Sequence, residues 1–149
     1  MKIIVDTNIV FSAILNTEGK IGNLLIDSEK QFQFFSTDYL RFELNKHHQK
    51  LKYFSGLSDF EIEEAKYRIT KYIQFINIEI IPEQIWKEAG KIISDIDIDD
   101  IDFVALTISL GGYLWTGDKE LNLGLKSKGF TKVITTNELW ERREKFLIK

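Results

Sequence analysis

The stretch Asp97-Ile98-Asp99-Asp100-Ile101-Asp102-Phe103-Val104-Ala105-Leu106 changes within a few residues from an acid-rich run to an apolar segment. The apolar part covers nearly the whole circumference of a helix and therefore predicts a buried one. The aspartates fall at the start of this helix, where free N–H groups and the helix dipole favour negative charge. Capping needs only one or two carboxylates, and crowded carboxylates repel one another unless a cation lies among them. Simple capping and a bound cation are therefore the two interpretations of this stretch.

The composition is that of one small domain. The chain has 149 residues, of which 44% are hydrophobic, so we expect a single domain spanning residues 1–149. Cysteine is absent and there are two histidines, which leaves oxygen atoms as the main metal ligands. No apolar run approaches the ~20 residues of a membrane span, so a soluble, cytoplasmic protein without a membrane partner is expected. The net charge of −3 neither favours nor excludes a nucleic-acid partner.

Short apolar segments alternate with helical segments along the chain. Strands are predicted at residues 2–6, 32–36, 77–81, 113–116 and 132–135. One helix is predicted over residues 39–53, and the apolar face of the next extends through Ile73 and Ile76. Asn137 is the expected cap of a terminal helix. This alternation predicts the α/β class, as a three-layer α/β/α sandwich with a mostly parallel central sheet.

Acidic residues follow two of the predicted strands. Asp6 ends the first strand and Asp118 follows the fourth, so both are expected at one edge of the sheet, near the aspartates around Asp100. Glu43 falls at the edge of the inward face of its helix, where pairing with Lys46 or His47 is the alternative to a ligand role. Carboxylates that converge without cationic partners fit Mg²⁺ or Mn²⁺, which would support phosphodiester hydrolysis.

The chain resembles the PIN-domain nucleases, in particular VapC-like toxins and related bacterial and archaeal branches. The resemblance rests on Ile3-Ile-Val-Asp-Thr-Asn8, Leu40-Arg-Phe-Glu-Leu44, the aspartate run from Asp97 to Leu106, and Tyr113-Leu-Trp-Thr-Gly-Asp-Lys119. It implies a PIN-like fold and metal-dependent cleavage of RNA, often by a homodimer restrained by a protein antitoxin. The acids implied as catalytic residues and metal ligands are Asp6, Glu43, Asp100 and Asp118, with Asn8 and Thr116 as supporting polar groups. Asp97 or Asp99 could replace or assist Asp100.

Three alternatives remain beside a toxin ribonuclease. The long helical region from residue 39 to residue 76 is compatible with an RNA-processing or structure-specific PIN nuclease that has no antitoxin. A haloacid-dehalogenase-like phosphatase also places an Asp after its first strand, but it needs a second acid where this chain has Asn8. A catalytically silent binding module would use the acids only as caps or ligands. The candidate RNA contacts are scattered: Arg41, Lys46, Lys50, Lys119, Arg142 and Arg143.

Overall fold

Five parallel strands form one sheet in a computed structural model that describes residues 1–148. The strands are β1 (Lys2–Val5), β2 (Gln33–Thr37), β3 (Ile73–Ile76), β4 (Tyr113–Trp115) and β5 (Val133–Ile134). Their order across the sheet is β3-β2-β1-β4-β5, and every neighbouring pair is parallel. The chain thus leaves β1 toward β2 on one side and later returns to β4 on the other side. Such a reversal opens a crevice at the carboxyl ends of β1 and β4.

Helices cover both faces of the sheet. They are α1 (Thr7–Leu15), α2 (Lys20–Asp27), α3 (Tyr39–Lys46), α4 (His48–Ser55), α5 (Asp59–Thr70), α6 (Glu83–Ile93), α7 (Ile101–Leu110), α8 (Lys119–Ser127) and α9 (Thr136–Ile148). Two short 3₁₀ helices span Ile78–Ile80 and Ile98–Asp100. No helix in the described part of the chain is long and apolar enough to cross a membrane.

Alternate side chains of the central strand enter two separate cores. Ile3 and Val5 of β1 pack with residues of α1, α2, α4, α5 and α9, whereas Ile4 packs with residues of α6, α7 and α8. All three side chains are fully buried, as expected for a parallel strand covered on both faces. The predicted three-layer α/β/α class with a parallel sheet is confirmed.

The third strand does not lie where the sequence pattern placed it. The prediction of a strand at residues 77–81 is wrong, because β3 is formed by Ile73–Ile76 and pairs with β2. Ile73 and Ile76 fit the spacing of the preceding helix, but that helix ends at Thr70. Pairing with β2 satisfies backbone groups that would otherwise lack partners. Asn77 then accepts a hydrogen bond from the N–H of Glu79 and starts a 3₁₀ turn instead of a strand.

Two other local predictions also need correction. The helix expected over residues 39–53 is two helices, α3 and α4, which meet at His47. The cap of α9 is Thr135 and not Asn137, because the Thr135 hydroxyl accepts a hydrogen bond from the N–H of Glu138. The Glu138 carboxylate accepts in return from the N–H of Thr135, which completes a capping box that the sequence pattern Thr-Thr-Asn-Glu contained.

Candidate active site

Asp6 lies where β1 meets α1. Its side chain is only 6% exposed, and Oδ1 accepts a hydrogen bond from the N–H of Ile9 at 2.9 Å, so Asp6 caps α1. Burial raises the pKa of this carboxyl and the charge of Asp118 raises it further, while hydrogen bonds from Thr116 and Ile9 act in the opposite direction. Asp6 is therefore a cap and also a buried carboxylate that faces a second acid.

Thr116 links the ends of β1 and β4. It is buried, it hydrogen-bonds to the Asp6 carboxylate, and its Oγ1 accepts from the backbone N–H of Asp118 at 3.1 Å. Asp118 in turn caps α8, since its Oδ1 accepts from the N–H of Leu121 at 3.1 Å. The hydroxyl of Thr116 thereby fixes the two strand-end acids relative to each other.

Asp100, at the start of α7, lines the same cavity as Asp6. It is half-buried at the beginning of α7 and its carboxylate makes no capping hydrogen bond. Burial raises the pKa of Asp100 to about 6, and the charges of Asp97, Asp6, Asp118 and Asp99 add to that rise. Asp97 instead caps the 3₁₀ turn, where it accepts from the N–H of Asp99 at 3.0 Å. Of the three candidates in this run, Asp100 has the burial and the interacting charges expected of a ligand.

Glu43 lies in α3 and has the partner anticipated as an alternative. Its carboxylate is 3.2 Å from Nε2 of His47. Both residues nevertheless line the same cavity as Asp6 and Asp100, so the pairing with His47 does not remove Glu43 from the acidic group.

A cavity of about 390 Å³ collects most of these groups at the carboxyl ends of the strands. Its acidic lining is Asp6, Glu43, Asp99, Asp100 and Asp102, and its other lining residues are Thr7, Asn8, Phe11, Thr37, Tyr39, His47, Lys50 and Phe103. Asn8 is exposed and lines this cavity, whereas Asp118 lines a neighbouring cavity and Asp97 lines neither.

Sequence reasoning missed some of the lining residues. Burial raises the pKa of Asp102, although this residue appeared in the sequence only as one more acid of the run. Thr37 was missed because β2 extends one residue beyond its predicted end. Thr37 therefore lies at the carboxyl end of a parallel strand, where side chains line the ligand crevice. Tyr39 carries no motif that could have identified it.

A family model described as "PIN domain" matches residues 4–143. The chain belongs to the PIN-domain family. A crystal structure of VapBC2 from Rickettsia felis bound to a promoter DNA fragment contains a chain of the same fold. That chain is 16% identical, the TM-score is 0.68, and the match covers 91% of this PIN domain and 98% of the Rickettsia felis chain. None of the curated proteins compared with the sequence matches it.

PIN domains are nucleases that generally use divalent metals, and the acids of this PIN domain fit that requirement. Within residues 1–148 no three Asp, Glu or His side chains are grouped closely enough to hold a metal ion by themselves. Mg²⁺, however, is usually bound through one or two carboxylates and retains several waters. Asp6, Asp100 and Asp118 supply oxygen donors, interact electrostatically, and form no ion pair in the described chain. A hydrated divalent cation suits this donor set.

Proposed function

We propose that this PIN domain is a divalent-metal-dependent endoribonuclease that hydrolyses RNA phosphodiester bonds. The observation that carries the proposal is the placement of Asp6 and Asp100 in the lining of one cavity at the switch point of the sheet, with Asp118 at the neighbouring strand end. Three carboxylates in mutual repulsion raise the free energy of the folded state unless a positive charge joins them. A role as ligands of a catalytic cation is the simplest explanation for the retention of these three carboxylates in the fold.

The chain itself holds the acids in place. Asp6, Asp100 and Asp118 would hold the metal, with Glu43 and one of Asp97 or Asp99 assisting. Bound Mg²⁺ or Mn²⁺ supplies a charge that activates water and stabilises the phosphoryl group undergoing hydrolysis. The remaining polar groups position these ligands or lie at the cavity, namely Thr116 bonded to Asp6, His47 beside Glu43, and Asn8 in the cavity lining.

Exposed aromatic rings beside the cavity support a single-stranded substrate. Tyr39 lines the cavity and is 48% exposed, and its ring centroid lies 5.3 Å from that of the exposed Phe42. Aromatic side chains of this kind stack on unpaired bases, which is how sequence-specific proteins usually contact RNA. The choice of RNA over single-stranded DNA follows from the family resemblance, and the substrate comparison below tests it.

We also propose a protein antitoxin as partner and a homodimer as the assembly. The support for the antitoxin is the likeness in fold, over nearly the whole chain, to a protein crystallised as VapBC2, while the homodimer follows from the family resemblance. Co-expression with the protein encoded next to this one, followed by size-exclusion chromatography with light scattering, tests both parts. A monomer that binds no neighbouring gene product and still cleaves RNA would identify an RNA-processing nuclease without an antitoxin.

Purified protein incubated with labelled RNA, single-stranded DNA and a phosphomonoester, each with Mg²⁺, Mn²⁺ or EDTA, tests the activity. We expect RNA cleavage with metal and none with EDTA. Asp100→Asn should abolish cleavage, whereas Asp27→Asn, a matched change at the exposed end of α2, should not. Hydrolysis of the phosphomonoester alone would indicate a phosphatase, and metal binding without any hydrolysis would indicate a silent binding module.

A further inference from the structure

Lys50 is the one Lys or Arg in the lining of the acidic cavity within the described chain. Other basic residues considered as RNA contacts lie elsewhere, since Arg143 is buried and the guanidinium of Arg41 lies 4.3 Å from the ring centroid of Phe75. The ammonium group of Lys50 forms no ion pair within residues 1–148. An exposed lysine is ordinary by itself, so its role depends on the groups around it.

A row of three side chains leads from the acidic cavity along one side of α4. His47 precedes the helix, Lys50 lies three residues later and Phe54 four residues after that, a spacing that places all three on one face. His47 and Lys50 line the cavity, and Phe54 lies one turn beyond it. At 1.5 Å per residue the row is roughly 10 Å long. It therefore joins the acids to the outer surface of α4.

The row ends on a pair of exposed aromatic rings. Phe54 is 65% exposed, and its ring packs edge-on against that of Tyr53, with centroids 5.3 Å apart. Neither ring belongs to the two cores that hold the helices on the sheet. Proteins that bind single-stranded nucleic acid combine cations that contact the backbone with aromatic rings on which bases stack. Lys50 and Phe54 supply both elements, one turn apart.

The two sides of the acidic cavity differ in charge. Beside the row lies α1, which carries no charged side chain between Thr7 and Leu15 and packs Phe11 against His47. A strand that passes over Lys50 therefore meets no carboxylate of α1.

The opposite side of the acidic cavity opens into another cavity, of about 400 Å³, with which it shares Tyr39 and Asp102. Asp38 and Glu79 line that second cavity, and its described lining contains no Lys or Arg. Phosphates of a nucleic-acid strand are repelled by such a surface. Charge therefore favours a strand that leaves the acids along α4.

We propose that Lys50 binds the phosphate next to the one that is cleaved, and that Phe54 stacks on the base beyond it. The RNA strand then leaves the acids along α4, and its contacts with the protein lie mainly on one side of the cut. The inference rests on the proposed nuclease function, because it takes the scissile phosphate to lie at Asp6 and Asp100. The row on α4 would hold the strand in register for cleavage.

RNA binding by Asp100→Asn, which is not expected to cleave, tests Lys50 without depending on activity. Adding Lys50→Gln should lower the affinity for a single-stranded RNA about fivefold and reduce the slope of log affinity against log salt by about 0.7, the value for one phosphate contact. Lys50→Arg should keep both values near those of the parent. Lys126→Gln is the matched control, an exposed charge change in the last turn of α8 that should alter neither. An affinity and a salt slope that Lys50→Gln leaves unaltered would overturn the proposal.

Phe54→Ala in the same Asp100→Asn background tests stacking. Loss of the ring should lower RNA affinity by about fivefold or more and leave the salt slope unaltered, because stacking releases no counterion. Tyr67→Ala is the control, since Tyr67 of α5 is 64% exposed, almost as much as Phe54. Light scattering of each variant shows whether the rings serve contact between two copies instead. Unaltered RNA affinity in Phe54→Ala, with or without a change in oligomeric state, would refute stacking on Phe54.

Synthetic RNAs shortened from either end of a mapped cleavage site test the direction of the strand. Removal of about two nucleotides from one end should weaken binding to Asp100→Asn, and the same removal from the other end should change it little. Adding Lys50→Gln and Phe54→Ala together should abolish this difference between the ends. Equal sensitivity at both ends in the parent would contradict a strand that leaves along α4. If wild type cleaves no RNA, the nuclease proposal itself fails; if it cleaves and these variants bind RNA as the parent does, only the strand path fails.

Discussion

The carboxylate of Glu43 lies 3.2 Å from Nε2 of His47, at the junction where α3 meets α4. The same imidazole packs edge-on against Phe11 of α1, with ring centroids 5.7 Å apart. His47 therefore joins two helices and orients the glutamate of the acidic cavity. A carboxylate can accept several hydrogen bonds, so pairing with His47 and contact with a cation are compatible. This arrangement makes His47 a positioning residue.

Replacing His47 by Leu tests that role. Leucine keeps apolar packing against Phe11 but removes the group that orients Glu43, so the metal concentration for half-maximal cleavage should rise by about tenfold. Saturating Mn²⁺ should restore most of the rate. Cleavage rates measured across a Mn²⁺ titration check this, with Glu43→Gln expected to show the same direction of change. Identical titration curves for wild type and His47→Leu would contradict the positioning role.

Asp6 performs two tasks that different substitutions separate. Asn is as good a cap as Asp, so Asp6→Asn should keep the bond to the N–H of Ile9 while it removes the repulsion with Asp118. Asp6→Ala removes both the charge and the cap. Urea denaturation in EDTA should show Asp6→Asn to be as stable as wild type or more so, and Asp6→Ala to be less stable than Asp6→Asn by about 1 kcal/mol. Both variants should be inactive, and wild-type cleavage by Asp6→Asn would sink the metal-site proposal.

Asp100 should make the stability of the metal-free protein depend on pH. Its pKa in the folded protein is about 6, above the ordinary value of 3.8, so the folded state binds this proton more tightly than the unfolded state does. Stability from this group is present below pH 4 and is lost as the pH rises toward 6. Asp100→Asn lacks this loss, and should gain about 1 kcal/mol over wild type between pH 4 and pH 7 after allowance for partial exposure.

Urea denaturation of both proteins in EDTA at several pH values measures that difference. Asp99→Asn is the matched control, because Asp99 is exposed and adjacent in sequence. Its stability should follow wild type closely across the same range, because the charge of Asp99 contributes least to the raised pKa of Asp100, and it should retain far more cleavage than Asp100→Asn. Equal losses of activity in the two variants would mean that both aspartates are ligands.

The sequence predicted correctly those parts of the fold in which a single physical requirement determines the residue pattern. Ile3, Ile4 and Val5 form an unbroken apolar run because both faces of β1 are covered, and this pattern identifies the strand. Parallel strands then place Asp6 and Asp118 at one edge of the sheet. In contrast, Ile73 and Ile76 fit either a helix or a strand, and only pairing with β2 decides between them.

The finer geometry of the site depends on packing that periodicity does not report. The spacing of acids in the run favoured Asp100 but left Asp97 and Asp99 open as replacements, whereas burial at the start of α7 distinguishes Asp100 from both. The break between α3 and α4 at His47 was equally invisible, because the apolar spacing continues across it. The contact between Thr116 and Asp6 requires the register of β1 against β4.

Arg143 was a candidate RNA contact and the structure assigns it to the core. It is 7% exposed, and its guanidinium donates to Asn23 at 2.6 Å and to Ser28 at 3.1 Å while lying over the ring of Trp140. Arg143→Ala leaves Asn23 and Ser28 without this donor and should lower the free energy of unfolding by about 2–4 kcal/mol. Arg142→Ala is the control.

Denaturation curves and RNA binding by the folded fraction check this assignment. Arg142 lies over the ring of Tyr113 and near Met1, at the amino-terminal edge of the sheet and away from the acids, so its loss should change stability little. RNA affinity per folded molecule should stay within about twofold of wild type for both variants, since neither Arg142 nor Arg143 lines the acidic cavity. A stable Arg143→Ala protein with weakened RNA binding would show that Arg143 contacts RNA and does not serve the core.

Metal should stabilise the folded protein because it relieves repulsion among Asp6, Asp100 and Asp118. A ligand at 100 times its dissociation constant contributes about 2.7 kcal/mol, which for a chain of this size corresponds to a rise of about 5–10 °C in melting temperature. Asp118→Asn retains the cap of α8 but removes one ligand charge, so the rise should shrink while the metal-free melting temperature stays level. Thermal melts of both proteins in EDTA and in Mn²⁺ measure the effect. A wild-type melting temperature that does not change with Mn²⁺ would leave Asp6 and Asp118 with no role beyond capping α1 and α8.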